Sequence, residues 1–464
     1  MDIDALKHDL AGREIEDNPV LVKQKSRDFF WYSPVLKRQL DHVTADLVVT
    51  PLDEAEVVRA VKAAFKHGVP VTPRGAGTGN YGQAMPLSGG MVLNLAKMTK
   101  VKCIANGLVV AEAGAILEMV DNETKATCGQ EMRMHPSTYR SASIGGFICG
   151  GSGGVGSIRW GGLRSLGNVL RLRIVTCEAE PRVLDLVGDD LHKVIHAYGT
   201  NGIVTEVEAP TTQAYPWADV IVAFDDIMAS MRFADLIAHA DGVLAKEVAP
   251  IAAPVPYDYF LRHRKFLKRD DSIVAMMVAP FALGSVEILA KRAKGRVAYR
   301  SDKASAEDLK TLPPAYELGW NHTTLRALRV DPTITYLQTR YPDISALENM
   351  LRIFGDEVPL HCEMIRFDGK MSFAGLPLVR FKSEERLEEI IAIHEDNGCH
   401  VFNPHRYTLE EGGMKQTDRV QLAFKKEADP KGLLNPGKMV AWENPDFDFD
   451  AKRSYIFPGI QDVR

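Results

Sequence analysis

The sequence predicts an α+β protein in which a two-lobed, glycine-rich domain is interrupted by an inserted α+β domain. A strand–helix–strand unit over residues 46–72 leads directly into a glycine-rich loop, and a second glycine-rich tract follows between predicted strands. The composition then changes around 215–217, where the glycine-rich motifs stop. At 464 residues the chain is also too long for one ordinary core, which favours two or three domains.

The first unit shows how the elements are predicted. Residues 46–51 form a short apolar strand, after which Asp53 is a helix cap with Glu56 three residues on. Apolar residues at helical spacing continue to Gly68, which suits a helix end, and 69–72 predict the second strand. Further strands are predicted at 91–95, 101–113 (a hairpin turning at the Asn-Gly pair 106–107), 170–177 and 203–208, and a helix from Ile116 to about Thr124.

The predicted domain division places both ends of the chain in one domain. We expect 1–217 to form the glycine-rich domain, with its core over about 40–215, and 218–424 to form the inserted domain. The inserted part mixes strands with amphipathic helices such as 383–396. The segment 425–464, which begins with the turn-rich DPKGLLNPGK, should return to the first domain.

Composition excludes several classes of protein. The formal net charge is only -5 and no Lys/Arg block appears, which argues against a nucleic-acid binder. The six cysteines contain no CxxC pair, which argues against zinc ribbons and iron–sulfur clusters. The N-terminus lacks an apolar h-region, and no apolar run reaches about 18 residues. We therefore expect a soluble cytoplasmic protein with reduced thiols and no membrane span.

The first glycine-rich loop, PRGAGTGNYG at 73–82, has the features of an anion site. Its four glycines allow positive φ angles and let a ligand approach the backbone without meeting Cβ atoms. Consecutive N–H groups in such a loop form a nest for an anion, and a pyrophosphate needs such a nest most. No Gly-Lys-Ser/Thr follows, so the loop is not a Walker A motif, and it matches the dinucleotide fingerprint only in part.

The second tract, SIGGFICGGSGGVG at 143–156, is a poor linker because apolar Ile144, Phe147, Ile148 and Val155 are interleaved with its glycines. Close approach of the backbone to a large planar cofactor explains it better. Two such tracts on one domain indicate a cofactor more strongly than either alone.

In this order, the lead unit, PRGAGTG, IGG…GGSGG, YGTNGIVTEVE and the terminal LLNPGK resemble the FAD-binding domain of the vanillyl-alcohol oxidase / p-cresol methylhydroxylase (PCMH) superfamily. The nearest branch contains the D-lactate, glycolate and D-2-hydroxyglutarate dehydrogenases. The resemblance covers about 40–215 and 425–440, and the middle only loosely. It implies a PCMH-type fold, an FAD cofactor, and oxidation of a small hydroxy acid or related alcohol by hydride transfer to flavin N5.

The resemblance also implies which residues bind FAD. The loop from Arg74 to Asn80 would surround the pyrophosphate, and the second tract would line the flavin ring and diphosphate. Asn435 would return to the flavin from the far end of the chain. The implied cofactor-binding residues are Pro73, Arg74, Gly75, Ala76, Gly77, Thr78, Gly79, Asn80, Tyr81, Pro136, Ser137, Ser143, Gly145, Gly146, Ile148, Gly153, Gly154, Gly202, Ile203, Val204 and Asn435.

Two departures from the family predict that FAD is held noncovalently. Thr78 stands where some relatives attach FAD through a histidine, and Tyr139 stands where doubly attached relatives have a cysteine. Trichloroacetic acid should therefore release the flavin into the supernatant and leave a colourless precipitate, as measured by the absorbance of both fractions. A precipitate that stays yellow would contradict this prediction.

Catalysis in this family needs a hydrogen-bonding group or base, for which histidine is suited, and a cation for a carboxylate, for which arginine is suited. The metal motifs of the hydroxy-acid branch, GHxGDGNxH and GEHGIG, are not intact. In their places stand LHCE at 360–363 and CHVFNPHRYTLEEGGMK at 399–415. His361 and Glu363 alternate on a probable strand and should share one face. The predicted catalytic residues are His361, His405, Arg406, Tyr407 and Glu411.

A divalent metal is the less favoured interpretation of these residues. His361, Glu363, His400 and His405, with Glu410 and Glu411, would then converge as ligands; the favoured interpretation is a polar cavity wall without metal. The arginines that could hold a carboxylate are Arg326, Arg329, Arg340, Arg366 and Arg406, while 320–322 and Tyr336 could equally pack an aromatic substrate. No spacing selects among them.

The favoured function is therefore an FAD-linked oxidase or dehydrogenase acting on a CH–OH donor, with electrons leaving to oxygen, a quinone or a separate protein. The alternatives are the same fold acting on a phenolic, other alcohol or amine substrate, and a noncatalytic flavin-binding subunit. A reductase that receives hydride from NADPH is a further alternative. A homo-oligomer is left open.

Overall fold

The computed structural model describes residues 1–151, 153–412 and 417–450. Ser152 of the second glycine-rich tract, residues 413–416 and the tail 451–464 lie outside the described residues. Over the described ranges, no helix is both long and apolar enough to cross a membrane.

The first sheet positions the first glycine-rich loop. Its strand order is β1-β2-β4-β3, with β3 and β2 both parallel to β4. Asp53 caps the following helix by accepting a hydrogen bond from the Glu56 N–H, and Gly68 ends it with a φ of 63°, as predicted. The elements are α1 (Ile3–Asp9), β1 (Ile15–Glu16), α2 (Pro19–Lys25), α3 (Pro34–Leu40), β2 (Leu47–Val49), α4 (Glu54–His67), β3 (Val71–Arg74) and β4 (Met91–Asn94).

The second sheet is antiparallel, with the order β5-β6-β10-β8-β9 and with β7 paired to β10. Part of the second glycine-rich tract forms a helix rather than an open loop, because Ser143 caps it and Ile144 and Ile148 pack into the core. The elements are β5 (Val101–Ala105), β6 (Leu108–Glu112), α5 (Leu117–Cys128), β7 (Gln130–Met132), α6 (Ile144–Gly150), α7 (Ser157–Trp160), β8 (Arg171–Val175), β9 (Val183–Val187) and β10 (Ile203–Gln213).

The middle of the chain contains three further sheets, with the orders β12-β13-β11-β14, β15-β19 and β17-β18-β16-β20. The first part consists of β11 (Ala218–Phe224), α8 (Ile227–His239), β12 (Ala245–Ile251), α9 (Val255–Tyr259), β13 (Ser272–Val278), α10 (Leu283–Arg292), β14 (Arg296–Arg300), α11 (Ala306–Thr311) and α12 (Trp320–Leu328). The second part consists of β15 (Ile334–Tyr336), β16 (Gln338–Tyr341), α13 (Ile344–Phe354), β17 (Cys362–Phe367), β18 (Lys370–Gly375), β19 (Leu378–Arg380), α14 (Glu384–Asp396) and β20 (His400–Phe402).

After α15 (Arg419–Ala428), the chain reaches the edge of the first sheet. The Val71 N–H donates to the Leu433 carbonyl (2.8 Å), and the Asn435 N–H donates to the Val71 carbonyl (2.8 Å). This parallel bridge at Leu434 places LLNPGK beside β3, and α16 (Val440–Glu443) follows. The division into the domains 1–217, 218–424 and 425–464 stays a prediction.

Candidate functional site

A cleft of about 1220 Å³ lies where the loop after β3 faces α6 and the start of β10. Most of the residues expected at a cofactor line it: Pro73, Arg74, Gly75, Ala76, Gly77, Thr78, Gly79, Asn80, Tyr81, Pro136, Ser137, Ser143, Gly145, Gly146, Gly202 and Val204. Ile148, Gly154, Ile203 and Asn435 are not among its lining residues, and Gly153 lines a neighbouring cavity instead.

The loop presents backbone donors that a pyrophosphate could use. Gly77, Thr78, Gly79 and Asn80 line the cleft, and within the described part of the chain their N–H groups find no acceptor. The loop itself is fixed from outside, since the Phe29 N–H donates to the Gly79 carbonyl (2.7 Å) and the Ala76 N–H donates to Ser143 Oγ (3.3 Å). Unpaired N–H groups in a nest suit an anion, so the residues present fit the FAD diphosphate.

Two glycines are required by close packing at this cleft. A Cβ at Gly75 would lie 2.0 Å from Ser143 Oγ, and a Cβ at Gly145 would lie 2.6 Å from the Ala113 Cβ and 2.9 Å from its carbonyl oxygen. Helix α6 thus lies against β6 more closely than any larger residue permits. The glycine-rich patterns therefore reflect contacts between loop, helix and strand as well as room for a ligand.

Buried charges lie behind the loop. Arg74 donates to the Arg27 carbonyl (2.6 Å), and burial lowers its pKa while the negative charge of Asp28 opposes that shift. Burial raises the pKa of Asp28 to about 6, and burial lowers the pKa of Lys438, which donates to the Gly82 carbonyl, to about 7. Arg74 lines the cleft and is therefore the cation beside the predicted diphosphate position.

Asn435 acts on the cleft indirectly. Its Nδ2 donates to the carbonyls of Gln83 (2.8 Å) and Tyr198 (2.7 Å), and both of these residues line the cleft. The residue expected to contact the cofactor therefore positions two parts of the cleft wall. Sequence reasoning missed Phe29, Tyr32 and Gln83, which also line the cleft. Cys149 and Tyr198 line it too and belong to the quoted motifs, although they are not among the implied cofactor contacts. Asn321 and His322, which were expected only to pack an aromatic substrate, complete the wall.

A second cavity adjoins the first, and the two share Tyr81, Pro136, Ser137 and Asn321. Its largest wall is one face of the sheet β17-β18-β16-β20. Arg340 is opposite Ala374 and His400 in the strand register, and Gln338 is opposite Phe402. Because side chains alternate along a strand, Gln338 and Arg340 share this face. The other lining residues of the sheet are Thr339, Ile365, Phe367, Gly375 and Leu376, and Trp320 lies opposite them.

Among the described residues that line the second cavity, Arg340 is the one Lys or Arg. Its side chain is half-buried, its guanidinium lies 4.7 Å from the centre of the Phe367 ring, and its Nε is buried without an acceptor among the described residues. A buried N–H of a cation without an acceptor suits an anion bound in the cavity.

The other candidate arginines have partners or lie in solvent. Arg326 pairs with Glu317 (3.2 Å), Arg406 pairs with Glu388 (2.9 Å), and exposed Arg366 donates to the Gly369 carbonyl (3.1 Å). Arg329 is exposed. Contacts thus distinguish Arg340 where sequence spacing could not.

Tyr81, expected only as a cofactor contact, lies between the two cavities. Its hydroxyl accepts a hydrogen bond from Gln338 Nε2, and its ring lies 5.2 Å from that of Phe402. Burial raises the pKa of Tyr81 above its ordinary range, so the hydroxyl stays protonated and can donate a hydrogen bond.

The histidines predicted to be catalytic line neither cavity. His361 Nδ1 donates to the Leu376 carbonyl (3.1 Å) while its Nε2 lies 2.9 Å from Glu363 Oε1, so the two side chains do share one face. His405 Nε2 donates to the Tyr336 carbonyl (2.9 Å) and its Nδ1 accepts from Ser33 Oγ (2.7 Å). Burial lowers the pKa of each histidine to about 4. Both histidines are neutral groups held by internal hydrogen bonds.

The remaining predicted catalytic residues also lie away from both cavities. The Tyr407 ring lies 4.9 Å from Lys438 Nζ, and exposed Glu411 accepts from Thr408 Oγ1 (2.8 Å). The structure does not bring the five predicted catalytic residues together. Within the described residues, no group of three or more His, Cys, Asp or Glu side chains is arranged to hold a metal ion.

Comparison with known proteins adds to this geometry. Residues 45–185 match the family described as FAD binding domain. An uncharacterized FAD-linked oxidoreductase of Mycobacterium tuberculosis is 32% identical over 41% of this chain and 45% of its own length, so the match spans less than half of that relative. Glycolate oxidase subunit GlcD of Bacillus subtilis is 26% identical over 85% of this chain and 89% of its own length. D-lactate dehydrogenase of Archaeoglobus fulgidus is 31% identical over 34% of this chain and 37% of its own length.

Among solved structures, an alkyldihydroxyacetonephosphate synthase has a similar fold, with a TM-score of 0.71 at 15% identity over 94% of this chain and 84% of its own. The α+β fold predicted from the sequence is confirmed, residues 45–185 match an FAD-binding domain, and FAD is the cofactor.

Proposed function

We propose that this chain, which carries an FAD-binding domain, oxidises the CH–OH group of a small hydroxy acid. The observation that carries the proposal is Arg340, whose buried Nε has no acceptor among the described residues and which lines a cavity that adjoins the FAD cleft. Its planar fork suits a carboxylate, to which it can donate two parallel hydrogen bonds. The names of the relatives, which include a D-lactate dehydrogenase and a glycolate oxidase subunit, support the same class of substrate.

Three side chains would orient and deprotonate the substrate. Arg340 holds the carboxylate, and the protonated hydroxyl of Tyr81 donates to the substrate oxygen at the junction of the two cavities. Within the described residues the His322 side chain, which lines the FAD cleft, has no hydrogen-bond partner. Burial, followed by repulsion from Arg326 and Arg329, lowers the pKa of His322 to about 4, so its imidazole is neutral at pH 7 and can accept a hydrogen bond from the substrate hydroxyl. As the hydride leaves the carbon, the hydroxyl proton passes through this imidazole to solvent, because an imidazolium with this pKa does not retain a proton at pH 7.

FAD bound in the cleft supplies the acceptor for the hydride that leaves the substrate carbon. The chain's own contribution is to hold that carbon at the junction and to exclude water with the apolar walls contributed by Trp320, Phe367 and Phe402. The electron acceptor that reoxidises the flavin is oxygen, a quinone or a separate protein.

Anaerobic mixing of the purified holoenzyme with substrates tests the proposal. We expect 2-hydroxy acids to bleach the flavin absorbance, and the corresponding alcohols without a carboxylate to do so at least about 30-fold more slowly, since a lost charge-assisted contact costs about 2–5 kcal/mol. Equal rates for both sets would contradict the role of the carboxylate. Reduction by NADPH alone, or by dithionite but by no organic donor, would instead support the reductase or the noncatalytic subunit.

A further inference from the structure

We infer that the substrate carries a bulky apolar side chain, so that a branched or aromatic 2-hydroxy acid is preferred to glycolate, lactate or a dicarboxylate. This inference rests on the proposed function and concerns the part of the second cavity that the reacting atoms do not occupy. Its support comes from the size of that cavity, the chemistry of its wall and the number of its cations.

The cavity offers more space than a two- or three-carbon acid needs. Its volume is about 120 Å³ when counted as the space open to the centres of water-sized spheres, which is several times the roughly 10–15 Å³ that holds one water on that measure. A small acid bound at Arg340 would leave the rest of the space to water against apolar walls. An apolar substituent that displaces this water gains affinity from the hydrophobic effect.

The wall available to such a substituent is apolar. The cavity is lined by Trp320, Ile365, Phe367, Leu376 and Phe402. Among the described residues, no Asp, Glu, Lys or His lines it. A side chain with hydroxyl or carboxylate groups would lose its hydration here without gaining charged partners.

Three polar side chains of the wall already have hydrogen-bond partners, whereas the indole N–H of Trp320 is buried without an acceptor among the described residues. Thr339 Oγ1 donates to the His400 carbonyl (3.0 Å), and Ser157 Oγ accepts from the Gly154 N–H (3.0 Å). Gln338 Nε2 donates to Tyr81 and to Asn321 Oδ1 (3.4 Å). With Arg340 as the lining cation, the cavity can neutralise one carboxylate, which disfavours a dicarboxylate such as 2-hydroxyglutarate.

Two neighbours of Arg340 determine how much space lies beside the carboxylate position. Phe367 stacks on the guanidinium at 4.7 Å, and Ala374 is directly opposite Arg340 in the strand register. Ala374 is small, so the space beside the carboxylate position is open, whereas a larger residue there would reduce it. Ala374 therefore helps to set how large a substituent the cavity accepts.

A graded series of substrates tests the inference on the wild-type holoenzyme. The rate of flavin reduction is measured by anaerobic stopped flow with both enantiomers of lactate, 2-hydroxybutyrate, 2-hydroxyisocaproate, 3-phenyllactate and 2-hydroxyglutarate, and with glycolate. Because one methylene in an apolar pocket changes selectivity by about 10-fold or more, we expect kcat/KM to rise at least about 100-fold from lactate to 2-hydroxyisocaproate or 3-phenyllactate.

A substitution in the wall of the second cavity provides a second test of the inference. Ala374→Leu should lower kcat/KM for 3-phenyllactate at least about 10-fold while changing that for lactate by less than about 3-fold, since only the large substituent meets the new side chain. Met371→Leu, on the other face of the same strand, is the matched control and should change neither value. FAD content and Tm are measured for both variants to show that each is folded.

The outcomes separate this inference from the proposed function. If lactate or glycolate reacts as fast as the bulky acids, or if 2-hydroxyglutarate is best, the inference is wrong and the proposed function stands. If no 2-hydroxy acid reduces the flavin, the proposed function fails first. If Ala374→Leu lowers kcat/KM for lactate and 3-phenyllactate equally, Ala374 does not set substituent size, and that arm counts against the inference.

Discussion

Replacing Arg340 with methionine is expected to lower kcat/KM for the preferred hydroxy acid by about 30-fold or more. Removing one partner of a buried charge-assisted contact costs about 2–5 kcal/mol, and each 1.36 kcal/mol is tenfold in rate. Methionine keeps much of the packing against Phe367 but cannot donate a hydrogen bond. The measurement is flavin reduction over a range of substrate concentrations, so that the effects on kcat and KM are separated.

Two further variants make this prediction specific. Arg340→Lys keeps the charge but loses the planar fork, so its kcat/KM should lie between those of the wild type and Arg340→Met. Arg366→Met is the matched control, because Arg366 is exposed and donates only to the Gly369 carbonyl. Arg366→Met should leave kcat/KM within about 2-fold of the wild type. Equal losses in Arg340→Met and Arg366→Met, or an unchanged Arg340→Met, would exclude Arg340 as the carboxylate site.

The FAD cleft could largely be predicted from the sequence because its residues are contiguous. The loop 73–81 depends on local glycine chemistry, and its neighbours at 143–146 carry the same signal. Residues such as Phe29 and Tyr32 could not be predicted, since they reach the cleft only through tertiary contacts and belong to no motif. Asn435 shows the intermediate case, in which the motif identified the right region but the side chain positions the wall instead of lining it.

The substrate cavity was much less predictable, for a physical reason. The sequence shows which residues are capable of chemistry but not which hydrogen bonds they make after folding. His405 looked suitable, yet both of its ring nitrogens bond to Ser33 and Tyr336. Conversely, Arg340 is one of five arginines that the sequence offers as carboxylate sites, and only the contacts made by the others distinguish it. Selecting it required the strand register of the sheet, a long-range property.

Replacing Lys425 with methionine is expected to destabilise the fold by about 3–5 kcal/mol, since it leaves the buried Asp429 carboxylate without its cation. Lys425 Nζ lies 2.6 Å from Asp429 Oδ2, and it also donates to the carbonyls of Thr200 (2.8 Å) and Leu434 (3.1 Å). Asp429 in turn accepts from the N–H groups of Leu433 and Leu434, so the pair holds LLNPGK in place. Because Asn435 follows directly, FAD affinity should fall together with stability.

Glu427→Gln is the matched control for this prediction, because the Glu427–Arg182 pair (3.0 Å) belongs to the same helix but is exposed at its surface. Exposed pairs contribute about 0–1 kcal/mol, so this variant should unfold almost as the wild type does. Urea denaturation with and without added FAD, together with the FAD Kd, measures both effects. Lys425→Met combined with Asp429→Leu should recover part of the loss, since no unpaired charge then remains buried. The opposite result would be a double variant whose free energy of unfolding is lower than that of Lys425→Met by as much as Asp429→Leu alone lowers it. The two side chains would then act independently, and the unpaired Asp429 carboxylate would not be the reason that Lys425 is needed.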